Sequence, residues 1–201
     1  MKYIIMCGFR SDKPLRVIFG ERIIERTIRL LRENGVEDIA ISSNDERYEQ
    51  LDVPVLHHDN PMDNFYWLNA FYPTDNPVCY IFGDVYFSSC AIRTIVETRT
   101  NDIMFFASAP PFSNMYNKSW AEPFAFKVQN VRRFFQCIEY TRQHDRYHEF
   151  NRMPISWELW QVIMNSPLNR IDYTNYVAIN DYTVDVDDDS QAAWITDKGY
   201  R

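Results

Sequence analysis

The chain has 201 residues, of which 46% are hydrophobic and 24% charged, with a net charge of −7 at neutral pH. That length and balance suit one globular domain with a full core and exclude a chain disordered over most of its length. The acidic balance, without any run of Lys and Arg, argues against a nucleic-acid partner, because neutralising phosphates takes clustered cations. A small anionic substrate is still permitted, since a few local cations suffice for it.

No stretch reaches the ~20 apolar residues of a membrane span, so no membrane partner is expected. Residues 1–8 form too short an apolar run for a signal peptide. The cysteines Cys7, Cys79, Cys90 and Cys137 show no CxxC spacing. A cytoplasmic, reducing setting with free buried thiols is the expectation. The 16% aromatic share is high, so these rings must fill a core or line a pocket.

Residues 3–7 are an unbroken apolar run ended by Gly8, as expected of a central strand buried on both faces. After a polar loop, Ile23, Ile24, Thr27, Ile28 and Leu31 recur at helical spacing and predict a helix over 21–34, stopped at Gly35. Strands are predicted over 36–42 and 53–56, then a helix opened by Asn60-Pro61 and running to about 72. Residues 78–82 form another apolar strand, ended by Gly83-Asp84. Strands at 103–107 and 123–128 flank an aromatic, Pro-containing loop that includes Phe112, Tyr116 and Trp120. Helices follow over 130–144 and 156–165, a last strand over 182–186, and a helix over 190–196. Alternating strands and helices predict an α/β fold with a doubly wound, mainly parallel, mixed sheet. One domain is expected.

In such sheets ligands bind at the carboxyl ends of the strands, and three of these ends carry chemistry. At the first, Gly8 permits close backbone approach to a phosphate, and Arg10 and Lys13 supply positive charge; two basic residues in a solvated loop read equally well. At the second, Asp84 follows a buried strand, where it suits a hard cation or a turn. At the third, Asp185 and Asp187 share a face if the strand runs through Val186, while an acidic cluster also suits a helix N-terminus. His144 and His148 share a helical face in a uniformly polar setting, which reads as a solvated helix end. His57-His58 reads as loop.

The order of these segments resembles the nucleotidyltransferases with a glycosyltransferase-A type fold, including the sugar-1-phosphate nucleotidyltransferases and the molybdenum-cofactor guanylyltransferases. The resemblance rests on Cys7-Gly8-Phe9-Arg10, Lys13-Pro14-Leu15, Gly20 through Arg26, Asn34-Gly35-Val36-Glu37-Asp38-Ile39, Ile81-Phe82-Gly83-Asp84, Glu122-Pro123 and Val184-Asp185-Val186-Asp187. The loop from Gly8 to Lys13 is shorter than the family's, and the late acidic motif lacks the family's Thr-Pro.

The resemblance implies an Mg²⁺-dependent transfer of a nucleotide from a nucleoside triphosphate to a phosphorylated small molecule such as a sugar phosphate, with release of pyrophosphate. It assigns Asp84, Asp187 and Asp185 to the metal, and Arg10 and Lys13 to catalysis. Cys7, Gly8, Arg10, Lys13 and Gly83 fall to the nucleotide, and Trp120, Glu122 and Lys127 to the acceptor, so that residues 1–107 form a nucleotide-binding half and 108–201 an acceptor-binding half. A homo-oligomer is left open. The alternatives are a glycosyltransferase with a nucleotide-sugar donor and a non-catalytic nucleotide-binding protein of the same fold.

Overall fold

A run of apolar residues with no polar alternation is stable only with cover on both faces, and residues 3–7 are all buried. They belong to β1 (Lys2–Gly8), a central strand of a seven-stranded sheet. The computed structural model describes residues 1–8, 12–58, 66–110, 121–146, 150 and 154–201.

After β1 come a 3-10 turn (Lys13–Leu15), the short strands β2 (Val17–Ile18) and β3 (Glu21–Arg22), and α1 (Ile23–Glu33). Next are β4 (Ile39–Ser43), a second 3-10 turn (Glu46–Gln50), β5 (Val55–Leu56), α2 (Tyr66–Asn69), β6 (Val78–Phe82), β7 (Val85–Tyr86) and α3 (Ser89–Glu97). The remainder is β8 (Ile103–Ser108), β9 (Glu122–Val128), α4 (Val131–Arg146), α5 (Ser156–Met164), β10 (Val177–Ala178), β11 (Val184–Asp185) and α6 (Asp189–Lys198).

The main sheet runs β10-β8-β9-β6-β1-β4-β5. Every neighbouring pair is parallel except those made by β9, which runs against both β6 and β8. This is the expected mainly parallel, mixed α/β sheet, with β1 between β6 and β4. Alternate residues of β1 feed opposite layers. Tyr3, Ile5 and Cys7 pack with Ile24, Ile28 and Leu31 of α1 and Ala91, Ile92 and Ile95 of α3. Ile4 and Met6 pack with Phe71, Phe134 of α4 and Trp157 of α5.

The second layer absorbs much of the aromatic content. Phe105 stacks on Phe126 at 4.4 Å between centroids, Trp157 meets Phe105 edge-on at 4.9 Å, and Tyr80 stacks on Phe134 at 5.6 Å. Each such ring contributes about 1.5–3 kcal/mol through burial alone.

Local sequence explains the boundaries. Glu25 accepts a hydrogen bond from the Arg22 backbone N–H at 3.1 Å and so opens α1. Gly35, at φ +77°, closes it, with the Val36 N–H donating to Leu31 O at 3.1 Å. The helix predicted over 21–34 thus loses its first two residues to the hairpin strand β3. The strand predicted from 36 starts at 39, because Val36 completes the helix stop. The strand predicted over 182–186 shrinks to β11, which leaves the main sheet and pairs antiparallel with β7. The Asn60-Pro61 helix start lies outside the described residues. α3 is absent from the sequence reading; it is capped by Ser88, whose Oγ accepts from Ala91 N–H at 2.8 Å.

A third, smaller core holds Ile18, Ile23, Tyr86, Val184, Val186 and Ile195. It ties the β2–β3 hairpin, the β7–β11 ribbon and α6 into one unit, and this unit carries the late aspartates.

Candidate active site

Two strands deliver their ends to one place. β1 leaves the sheet at Gly8, whose φ of +61° lies in the left-handed region that glycine enters at no steric cost. Ser43 Oγ, at the end of β4, donates to Gly8 O at 3.2 Å. The chain then returns at Asp12 into the 3-10 turn that carries Lys13. Beside it, β6 is followed by Gly83, whose N–H donates to Met6 O at 2.9 Å. Asp84 follows and leads into β7. Because β7 pairs with β11, and Val186 N–H donates to Asp84 O at 2.9 Å, Asp187 is brought beside Asp84.

One ammonium touches both carboxylates. Lys13 Nζ donates to Asp187 Oδ1 at 2.5 Å and lies 3.9 Å from Asp84 Oδ2. Asp185 sits behind them. Its backbone N–H donates to Glu122 Oε2 at 3.3 Å, and its own Oδ1 is buried with no hydrogen bond among the described residues. Glu122 is fully buried at the start of β9, so a fourth carboxylate backs the group.

Electrostatics follow from this crowding. Burial, then the charges of Asp84 and Asp187, hold the Asp185 carboxyl well above the usual carboxylate range, against the opposing pull of Lys13. Partial burial also raises Asp84, with Lys13 opposing and Asp187 adding to the rise. For Lys13, burial acts downward but is outweighed by the Asp187 hydrogen bond and the neighbouring carboxylates, so its pKa rises. Among the described residues, Lys13 is the cation whose side chain meets Asp84 and Asp187.

These shifts set a pH test. A carboxyl whose pKa is raised on folding costs stability once pH exceeds the ordinary carboxylate value of about 4, and the cost grows until the folded-state value is passed. Asp185→Asn is therefore expected to stabilise the metal-free protein, by on the order of 1 kcal/mol at neutral pH and by nothing near pH 4. Urea unfolding across that range measures it; a gain independent of pH would contradict the assignment.

The segment bearing Asp187 is itself well held. Asp188 caps α6, accepting from Ser190 and Gln191 N–H at 2.8 and 3.1 Å. The Gln191 side-chain oxygen accepts from Asp187 and Asp188 N–H at 2.7 and 3.0 Å. Of the late aspartates, then, Asp188 serves the helix end. Arg16, which sequence reasoning missed, grips the same segment through Val186 O at 3.3 Å and Asp189 Oδ1 at 3.2 Å. Arg47 was also missed. It forks onto Asp45, at the end of β4, and onto Asp12 at 2.5 Å, joining the Lys13 loop to the sheet rim. A polar step after strand β4, Asn44-Asp45, is the one signal that marked that end as part of the rim.

Other expected residues fall elsewhere. Lys127 stands at the opposite end of β9 from Glu122, where its ammonium donates to the carbonyls of Ile95, Val96 and Thr98. It closes the C-terminal end of α3 and does not join the acceptor residues; one strand cannot present residues five apart to the same rim. Glu122 joins the acidic cluster instead of an open acceptor pocket. The Cys7 side chain is turned into the core, and burial pushes its thiol well above the usual range. Arg10, Trp120, Phe112, Tyr116 and His148 lie outside the described residues. A cleft of about 530 Å³ lined by His57, His58, Phe71, Phe135 and Arg142 shares no residue with the cluster.

Among the described residues, no group of three or more His, Cys, Asp or Glu side chains is arranged to hold a metal ion as it stands. No helix is long and apolar enough to cross a membrane.

No protein-family model matches the chain, and no curated protein does. Solved structures do. Rv0371c from Mycobacterium tuberculosis H37Rv superposes with a TM-score of 0.57 at 12% identity, over 98% of this chain and 96% of that one. Its complex with manganese gives 0.59 at 11% identity, over 98% and 97%. HddC from Yersinia pseudotuberculosis, complexed with GMP-PN, gives 0.54 at 13% identity, over 98% of each chain. At these identities the likeness is one of fold: the chain shares the mixed α/β architecture of these proteins along essentially its whole length.

Proposed function

We propose that this protein is a divalent-metal-dependent nucleotidyltransferase that moves a nucleotide from a nucleoside triphosphate to a phosphorylated small molecule, with a sugar phosphate as the favoured acceptor. The observation that carries the proposal is the convergence of Asp84 and Asp187, from opposite halves of the chain, on the one ammonium of Lys13 at the carboxyl rim. Like charges gathered this way need a cation, and a triphosphate brings one. The fold neighbours support the reading, one having been crystallised with manganese and another with GMP-PN.

The donor set fits Mg²⁺ or Mn²⁺. Both favour carboxylate oxygens, and Asp185 offers a buried oxygen with no hydrogen bond among the described residues. Asp84 and Asp187 would hold the ion, with Asp185 behind them, and the metal when bound neutralises phosphate charge. An acceptor phosphate oxygen attacks the α-phosphorus, the bond to the bridging oxygen breaks, and pyrophosphate leaves. Such a reaction depends on positioning and charge neutralisation more than on covalent help. In this chain Lys13 supplies charge to the phosphates and Gly8 close backbone approach; Arg10, to which the resemblance gives the same task as Lys13, lies outside the described residues.

The test is a thermal-shift screen of the four nucleoside triphosphates with and without Mg²⁺. A ligand at about a hundred times its Kd adds ~2.7 kcal/mol, so metal-dependent stabilisation by at least one of them is expected. Asp84→Asn should abolish that metal dependence. Equal stabilisation with and without metal, or full turnover by Asp84→Asn, would remove the metal role.

A further inference from the structure

We propose that Lys13 gates the metal site: its ammonium occupies the place between Asp84 and Asp187 that a divalent cation takes, so that metal enters together with the phosphates that draw the ammonium away. The inference rests on the reading of this cluster as a metal and triphosphate site. It adds a linkage that the reading alone does not require.

The geometry is that of a surrogate cation. Lys13 Nζ is hydrogen-bonded to Asp187 at 2.5 Å and lies 3.9 Å from Asp84, so a metal between these carboxylates and the ammonium compete for the same oxygens. Asp185 keeps a buried oxygen outside that bridge. A metal arriving alone must break a charge-assisted hydrogen bond and leave a half-buried ammonium beside a second cation. A metal arriving with a triphosphate meets neither cost, because phosphate oxygens take over the ammonium.

The backbone is built to let only the side chain move. Pro14 is buried in the 3-10 turn, and Arg16 holds the same segment onto Val186 and Asp189. Lysine, a point charge on a flexible four-carbon stem, then reorients about a fixed Cα. Thermodynamic reciprocity follows: whatever factor the phosphates add to metal affinity, metal adds to phosphate affinity. The protein would thereby ignore free divalent ions and respond to metal–polyphosphate complexes.

The test uses Mn²⁺ and inorganic tripolyphosphate on the whole chain. Free Mn²⁺ is followed by its electron paramagnetic resonance signal, and melting temperature is followed by fluorescence. Wild type is expected to bind Mn²⁺ alone weakly and to melt higher only with Mn²⁺ and tripolyphosphate together. Lys13→Met is expected to bind Mn²⁺ alone on the order of tenfold more tightly. Lys13→Gln should do the same, which guards against a packing artefact in either variant, while Lys13→Arg, which keeps the charge, should not. Adding Asp187→Asn to Lys13→Met should erase the gain.

If the lysine variants bind Mn²⁺ no better than wild type, yet Asp187→Asn weakens wild-type binding, the gate is overturned and the metal site stands. A gain that survives Asp187→Asn places the ion elsewhere and also overturns the gate. If neither wild type nor any lysine variant binds Mn²⁺, with or without tripolyphosphate, both the gate and the metal reading fall.

Discussion

Replacing Lys13 with alanine is expected to slow pyrophosphate release on the order of 100-fold, comparable with losing one donor to a developing oxyanion. The same change should alter stability by less than about 1 kcal/mol. Both partners of the Lys13–Asp187 pair are more than a third exposed, at 37% and 40%, so solvent screens much of what the ion pair contributes. Loss of the ammonium also leaves the Asp84 and Asp187 carboxylates facing each other. The informative quantity is therefore the split between rate and stability. Pyrophosphate release and melting temperature, measured side by side, provide it. Equal rates in wild type and mutant would make Lys13 a surface charge and favour a nucleotide-binding protein without turnover.

The second large effect is expected at Gly83, and for a reason the sequence did not suggest. A methyl group there would meet Met6 O at 2.7 Å and Cys7 Sγ at 2.8 Å, both closer than real Cβ contacts come. Met6 O also receives the Gly83 N–H and belongs to the strand at the centre of the sheet, so it cannot retreat without disturbing the β1–β6 pairing. Overpacking of this kind costs about 1–3 kcal/mol and sometimes more, and a backbone obstacle places Gly83→Ala at about 3 kcal/mol. Gly8→Ala, where no described residue lies within 4 Å of the new carbon and the positive φ is strained, should cost about 1 kcal/mol. Urea midpoints at unchanged m-value check both. A Gly83→Ala cost no larger than that of Gly8→Ala would show that the strand shifts freely. Gly83 matters here because it lets β6 lie against β1 and so fixes where Asp84 begins.

The central strands were legible because residues 3–7 and 78–82 are apolar without interruption, and nothing but two-sided burial explains that. Helix α1 was legible from its 3.6-residue stripe and from Gly35. The strands β7, β10 and β11 have two residues each, and no periodicity exists over so short a span. α3 escaped notice because its cap is a lone serine and its first turn carries no acid. At the site, Asp84, Asp187 and Lys13 could be chosen one by one at strand ends, but sequence could not reveal that a lysine would lie between two aspartates. Lys127 misled for the converse reason. Its nearness to the Glu122-Pro123 step drew it to the acceptor, whereas its carbonyl partners close the C-terminal end of α3, a helix with no clear sequence signal. Arg16 and Arg47 had no motif; each is defined by what it reaches across the fold.

The late arrival of β11 has a consequence for biosynthesis. β1, β4 and β6 can pair once residue 82 has been made, since all of their partner residues are then present. The carboxylate opposite Asp84 is supplied only when the segment from Val184 onward has been synthesised and has folded back beside β7. A ribosome-bound or proteolytically shortened chain lacking that segment would hold a nearly complete parallel sheet with half of an acidic rim. Under the proposed function, a fragment lacking that segment has no Asp187 to complete the metal site, and it is expected not to consume triphosphates.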